Sequence, residues 1–457
     1  MAKTHAECGF YSQFEAAMNV LHDAIGRPSD YGIAVSGGSD SLSMLYLASA
    51  WAKDANVRFH AVTVDHGLRE EAAAEAEWVS QTANALGVPH DTLTWRPSVA
   101  ASQADARTAR HSLIAAWSKN KSISNILLGH TLNDRIETMM MRARQGSGWY
   151  GMAALPAASA SPIWPDGRHL THLRPLTLFT RSQLRTWLSS HDLSWIDDPS
   201  NDNDKYERVR TRSVLEGVSD IALRSAQTSL DRLSDLRTAI NDSIIAFCDA
   251  DVDWRQDGSA QANIAALQEY VPAIRTRTLL HIASCVTGRD CSSALAQFEK
   301  LSERLNEGPL DKTLICSEAA FSSDDNQIFI AMRPRKSGKS TGAPSPSASS
   351  VVIDQIFDNR FKIQRSMADA QLMTWDEAQA TGRQLSHLSR VAPVIARRSA
   401  PVFLPDDPTQ NASWAWPEAK HSMEDATVLA LHKTRSDALK NTLFWGQLLQ
   451  TDPNKCH

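Results

Sequence analysis

AVSGGSDSLSML, Ala34 to Leu45, is the stretch that decides how the rest of the chain is read. A short apolar run, YGIAV (Tyr31 to Val35), has the pattern of a buried strand. It opens directly onto Ser36, Gly37, Gly38, Ser39, Asp40 and Ser41, and Asp40 to about Lys53 then reads as a helix. Two adjacent glycines let backbone N–H groups come close to an anion, and a helix start adds unsatisfied N–H donors with about half a positive charge. Ser36, Ser39 and Ser41 can donate hydroxyl hydrogen bonds without adding bulk. A lone Gly-Gly pair would fit a plain turn with a serine or aspartate cap. The full Ser-Gly-Gly-x-Asp-Ser string between strand and helix favours a phosphate-binding loop.

Working outward, the alternation continues. VRFHAVTV (Val57 to Val64) reads as a second strand, and EEAAAEAEWVSQTANAL (Glu70 to Leu86) as a helix closed by Gly87. HDTLTW (His90 to Trp95) and NILLG (Asn125 to Gly129) are further strands; Ser102 to about Lys119 and Asn133 to Arg144 are further helices. This predicts an α/β fold, a doubly wound parallel sheet with helices on both faces. Ligands in such sheets bind beyond the C-terminal ends of the strands. Ser36, Asp65 with His66, and Gly129 with His130 and Thr131 all follow strands, so they are predicted to face one crevice. One histidine after a strand is as well explained as a loop residue; it is the convergence of three clusters that points to a site. Asp134 and Glu137, three apart, share a helix face. They could hold Mg²⁺ across phosphates or simply complement the helix N-terminus.

Bulk composition narrows the class. With 457 residues, 42% hydrophobic and 22% charged, the chain suits a globular protein of two or three domains. A net charge of −5 means that a nucleic-acid partner must be held by local basic clusters. No signal peptide is apparent at the N-terminus, and no apolar run nears the roughly 18 residues of a membrane helix, so a cytoplasmic protein is expected. The six cysteines form no C-x-x-C pair, which argues against a disulfide scaffold, a zinc knuckle or an iron–sulfur site.

Beyond about Gly217 the texture changes. Ile221 to Ala250 and Asn263 to Asn306 look largely helical, and Lys312 to Met332 looks like two strands around a polar turn. Arg333 to Ser350 is rich in Ser, Pro and Gly and suits a linker. Its Ser337-Gly338-Lys339-Ser340 imitates the end of a Walker loop, but Arg333 stands at the first glycine position and no strand precedes it. The tail carries strand-like VVIDQIF, FKIQ and APVFL.

The Ser-Gly-Gly-x-Asp-Ser string resembles the loop of the N-type ATP pyrophosphatases, the PP-loop enzymes. Those enzymes split ATP between its α and β phosphates and transfer AMP to an oxygen of the acceptor. VDHGLR (Val64 to Arg69), GHTLNDRIETMMMR (Gly129 to Arg142), RQGSGWYGM (Arg144 to Met152), RPL (Arg174 to Leu176) and WIDDPSNDNDKYERVRTR (Trp195 to Arg212) follow one another as in the tRNA(Ile)-lysidine synthases. The resemblance spans about Tyr31 to Arg212. It implies a PP-loop catalytic domain (1–217), a mostly helical tRNA-binding or linking domain (218–334), a linker (335–350) and a small C-terminal α+β domain for tRNA recognition (351–457). On that scheme truncation after about Pro334 spares the ATP site.

The same resemblance implies ATP and Mg²⁺ as cofactors, with L-lysine and an isoleucine tRNA bearing a CAU anticodon as substrates. The wobble cytidine is adenylated and then joined to lysine. Ser36, Gly37, Gly38, Ser39, Asp40, Ser41, Asp65 and His66 are the expected ATP contacts. Asp40, Asp134 and His130 are the expected catalytic groups, and Asp40, Asp134 and Glu137 the expected metal ligands. Arg107, Arg110, Arg142, Arg144, Arg208, Arg210 and Arg212 are the expected tRNA contacts, against the plainer reading of a solvated basic face. In an extended strand Arg208, Arg210 and Arg212 would project to one side; in a helix they would not. Trp149 and Tyr150 either stack on an extruded base or pack locally. A homodimer is left open.

Four positions depart from the family pattern: Asn133 and Gln103 each lack an expected carboxylate, His111 replaces a tyrosine, and Val209 replaces an asparagine. Asn133 could cap the helix it begins. The rival readings are a PP-loop tRNA thiolase, which generally needs paired cysteines, an amide-forming ligase, and a non-catalytic tRNA-binding relative.

Overall fold

Neighbouring residues of the first sheet bury opposite faces, which is why YGIAV and NILL read as largely apolar runs. Ile33, Ala61 and Leu127 lie side by side across three strands and belong to the core on one face. Val62, Ile126 and Leu128 belong to the core on the other. In this computed structural model the described residues are 5–67, 72–96, 102–197, 207–255, 257–324, 326–333, 356–357, 360–363, 370–380, 401–405, 413–414, 428–445 and 448. They fall into two compact units, residues 1–239 with 441–457, and residues 240–440.

In the first unit the order is α1 (His5–Ala24), β1 (Asp30–Ala34), α2 (Ser39–Ala55), β2 (Arg58–Asp65), α3 (Ala72–Ala85), β3 (His90–Thr94), α4 (Gln103–Asn120), β4 (Asn125–Leu128) and α5 (Leu132–Arg144). Then come α6 (Trp149–Met152), β5 (Ala158–Ala160), β6 (Thr171–Leu173), α7 (Arg181–Ser190), α8 (Glu207–Glu216) and the start of α9 (Asp220–Ala250). The sheet runs β3-β2-β1-β4-β6-β5. All neighbours are parallel except β5, which is antiparallel to β6. Phe14 of α1, Leu42 and Trp51 of α2, Val79 of α3 and Leu184 of α7 fill one face, and Ile114 and Trp117 of α4 the other. The doubly wound sheet is as the alternation predicts; α1, β5, β6 and α7 lie outside that reading.

Of the two arrangements weighed for Arg208, Arg210 and Arg212, the helical one is found: these positions fall on α8. The end of the segment after the linker, residues 441–457, groups with the first unit. Leu443 exchanges backbone hydrogen bonds with Ala158 at 3.0 and 3.1 Å, and Trp445 Nε1 donates to Thr177 Oγ1 at 2.8 Å. Trp445 and Leu448 lie buried in the core of the α1–α2 face. Truncation after Pro334 would therefore open cavities in the first unit, at a few kcal/mol per large side chain.

The second unit holds an antiparallel sheet, β7 (Val252–Trp254), β8 (Ala260–Asn263), β9 (Leu314–Cys316), β10 (Ala319–Ser323) and β11 (Gln327–Met332), in the order β7-β8-β11-β10-β9. Helices α10 (Ile264–Gln268), α11 (Pro272–Thr287) and α12 (Leu295–Glu307) accompany it. The stretch read as two strands is three, because Ser317 takes a left-handed turn (φ 55°) between β9 and β10. FKIQ and APVFL contain β-strands at Phe361–Ile363 and Pro401–Pro405. The Walker-like string and most of the linker lie outside the described residues, as do Leu68 and Arg69. No helix among the described residues is long and apolar enough to cross a membrane.

Candidate active site

Helix α2 begins without a side-chain cap. Gly38 occupies its N-cap position and accepts at its carbonyl from Leu42 N (3.0 Å), but it has no side chain to cover the first amides. Gly37 turns the chain at φ 86°, and a Cβ there would lie 2.7 Å from Ile196 Cδ1. Ile196 N donates to Gly37 O at 3.0 Å, so the Trp195–Asp197 segment braces the turn from outside. Inside it, Ser41 Oγ accepts from Ser36 N (3.1 Å), sits 3.2 Å from Ser36 Oγ and donates to Gly38 O at 3.1 Å. Gly129 must also be small, since its Cβ would meet Ser41 N and Cα at 3.1 Å.

The helix starts around the loop are finished differently. Thr131 caps α5 in a full capping box with Asp134, and Thr180 caps α7 in one with Gln183. Asp134 Oδ2 accepts from Thr131 N (2.7 Å) and Thr131 Oγ1 (2.8 Å). Asn133 is therefore not the cap of its helix; its Oδ1 instead accepts from Arg181 N at 2.9 Å, tying α5 to the start of α7.

Arg181 is the residue that reading the sequence missed. Its guanidinium reaches Asp40 Oδ2 (3.0 Å), Asp134 Oδ1 (3.3 Å) and Glu137 Oε1 (3.4 Å). Burial pushes the Asp40 carboxyl above its ordinary range, Arg181 opposes this, and Asp134 adds to it by like charge. Burial also disfavours the Arg181 charge, but Asp134, Asp40 and Glu137 outweigh it and hold the guanidinium firmly protonated. The clue was available: Thr180 to Gln183 is a capping-box spacing, which marks a helix beginning with Arg181. Arg185, one turn on, reaches Ser39 Oγ at 3.4 Å and Asp197 Oδ1 at 3.4 Å.

A crevice of about 600 Å³ opens over this cluster. It is lined by Ser36, Gly38, Ser39, Asp40 and Ser41, by Asp65 and His66 after β2, and by His130 and Asp134 after β4. The structure thus brings the three sequence clusters together. Gly37 is buried behind the lining, and Glu137 lies under it, fully buried, with Arg212 Nε 3.5 Å from its Oε1. Among the other arginines, Arg110 and Arg212 line the crevice, while Arg107, Arg142, Arg144 and Arg210 are exposed outside it. Arg144 donates to Thr211 Oγ1 at 3.1 Å. The Arg208 side chain lies outside the described residues. Tyr150 is half-buried, with the Arg237 guanidinium 4.6 Å from its ring centre.

Hard carboxylate oxygens on Asp40 and Asp134 suit Mg²⁺. Glu137 fits the role less well, because it is fully buried and does not line the crevice. Among the described residues no group of three or more His, Cys, Asp or Glu side chains is arranged to hold a metal, so phosphate oxygens would have to complete a shell.

A parallel sheet whose first strand ends in a bare-amide Ser-Gly-Gly turn defines the class, an ATP-using PP-loop domain, and the family model described as PP-loop domain matches residues 11–217. The chain is 38% identical over 294 residues to a tRNA(Ile)-lysidine synthase of Hyphomonas neptunium, covering 64% of this chain and 78% of that one. It is 34% identical over 293 residues to one from Rhodopseudomonas palustris, covering 60% and 80%. A Zymomonas mobilis counterpart is 42% identical over 187 residues, covering 40% and 55%. The chain belongs to the tRNA(Ile)-lysidine synthase family.

Proposed function

We propose that this crevice adenylates the wobble cytidine of an isoleucine tRNA with a CAU anticodon and then joins L-lysine to it, in the cytoplasm. The observation that carries the reading is the uncapped start of α2 facing the crevice. Its first amides have no side chain to satisfy them, and an anionic phosphate supplies what is missing. In the first step the cytidine 2-carbonyl oxygen attacks the α-phosphate of ATP and pyrophosphate leaves into the loop. In the second, the lysine amine attacks the activated carbon and AMP leaves with the former carbonyl oxygen, the amine losing a proton. Adenylation is required because a carbonyl oxygen is a poor leaving group until it is a phosphate ester.

Within this reading the loop amides and the Ser36, Ser39 and Ser41 hydroxyls hold the pyrophosphate. Asp40 and Asp134 would hold Mg²⁺, which when bound neutralises charge on the phosphates. His130 borders the crevice and in this reading takes the amine proton. Arg110 and Arg212, at the rim, meet the tRNA backbone near the reacting base, and Arg107, Arg142, Arg144, Arg208 and Arg210 extend that contact. The alternative of a thiolase finds no support. Cys248, Cys285, Cys291 and Cys316 are all buried and belong to the second unit.

Purified protein supplied with ATP, radiolabelled lysine and unmodified tRNA should release AMP and pyrophosphate and carry label into the tRNA. ADP as the product, or label that requires no ATP, would refute the assignment.

A further inference from the structure

One wall of the crevice is apolar, formed by Ala34, Val62, Val64, Ile114 and Leu128. His111, nearly one turn before Ile114 on α4, is a polar group set among them. It is one of the four departures from the family pattern, and the chemistry above does not use it. Its ring stacks on that of His172 on β6, with centroids 5.2 Å apart and planes at 23°. His172 is 1% exposed. Arg174, just beyond, is pinned by bonds from Nη1 to Pro156 O and Ser159 Oγ, both 3.0 Å. The imidazole is therefore backed by buried, anchored groups.

His111 itself is only 5% exposed, yet neither Nδ1 nor Nε2 has a hydrogen-bond partner. Buried polar atoms are seldom left so, because an unmade hydrogen bond there forfeits hydration without return. Burial, and then the charges of Arg110, Arg107 and Arg174, push its pKa down to about 3. The ring is thus neutral near pH 7, with one N–H donor and one acceptor nitrogen. A neutral imidazole is a weak partner for phosphate, for which the loop already supplies amides. Set in an apolar wall, a donor and an acceptor match the edge of a flat, uncharged heterocycle.

We propose that His111 hydrogen-bonds the edge of the adenine base and so helps select the nucleotide; this rests on reading the crevice as the ATP site. Phosphates at the loop and the base against His111 and its apolar neighbours would share one crevice. The competing occupant is an ordered water, which would satisfy the ring without touching the nucleotide.

The test is calorimetric titration of the full chain with ATP and, separately, with inorganic triphosphate, which has no base. His111→Phe keeps a planar ring but removes both nitrogens. It should weaken ATP roughly tenfold and leave triphosphate binding unchanged, which also shows that the variant is folded. His111→Gln, which restores a donor and an acceptor, should return ATP binding to within about threefold of wild type. Equal ATP affinity in wild type and His111→Phe would overturn the proposal in favour of water, and so would parallel losses for ATP and triphosphate in both variants. Absence of ATP binding by the wild type would instead remove the reading of the crevice on which the proposal stands.

Discussion

Of the helices that start around the crevice, α5 and α7 are closed while α2 is open. At α5 and α7 a threonine hydroxyl and the side chain three residues on satisfy the first amides reciprocally. At α2 the cap position is Gly38, which has nothing to offer them. Near-identical backbone ends thus serve opposite ends. A capped start spends its amides inside the protein and contributes stability; a bare one keeps them for a ligand, and the chain bears their lack of partners until the ligand arrives. Arg181 links the three, standing first on α7 and reaching the acidic side chains at the starts of the other two.

That linkage gives the largest expected effect. Arg181→Leu would leave Asp40, Asp134 and Glu137 close together without their common cation. It should cost about 3 kcal/mol in urea-monitored stability, as when one partner of a buried ion pair is removed. An unshifted midpoint would mean that the three carboxylates are not held by this group.

Closing the open end is the next largest. Gly37→Ala places a Cβ against Ile196 Cδ1 at a left-handed backbone position, so the turn must shift. Single-turnover pyrophosphate release should fall about a hundredfold or more, since small displacements of a positioning element have that effect. The global stability should change far less than in Arg181→Leu. Near-normal adenylation would show that the turn's shape is not what the chemistry needs.

Opening a closed end should do the reverse. Thr131→Ala removes a buried cap and is expected to cost about 1 kcal/mol in stability. Adenylation should slow only about threefold, because Asp134 keeps its bond from Thr131 N. A hundredfold loss of rate with little loss of stability would abolish the distinction between the two kinds of helix start.

The smallest effect is expected at Asn133→Asp. The carboxylate offers the same acceptor to Arg181 N and adds a negative charge near the start of α7, which the helix dipole tolerates well. Pyrophosphate release should change less than about threefold, and strong activation would mean that Asn133 marks a damaged site.

Much of this was legible beforehand. Ser36, Gly38 to Ser41, Asp65, His66, His130 and Asp134 line one crevice because each stands at or beyond the C-terminal end of a strand, in a sheet whose period could be read from Tyr31 to Leu128. A parallel sheet follows from the alternation of strands and helices, and that is a local property of the chain. Arg208, Arg210 and Arg212 show where such reading stops: their alternate spacing fits a strand face, yet they stand on α8, which packs against α5. Local spacing is ambiguous until packing chooses a period.

By itself, then, the sequence determined the first four strands of the sheet, the phosphate turn and the family, since each is written in contiguous residues whose spacing carries its own geometry. Only the tertiary structure decided that Arg181, 141 positions after Asp40, would close the acidic trio. It also decided that Trp445 would fill the core of the first unit and that His111 would lose every hydrogen-bond partner. Such facts depend on which distant surfaces meet and which polar groups that meeting strands, and burial is a property of the packed whole that no local pattern encodes.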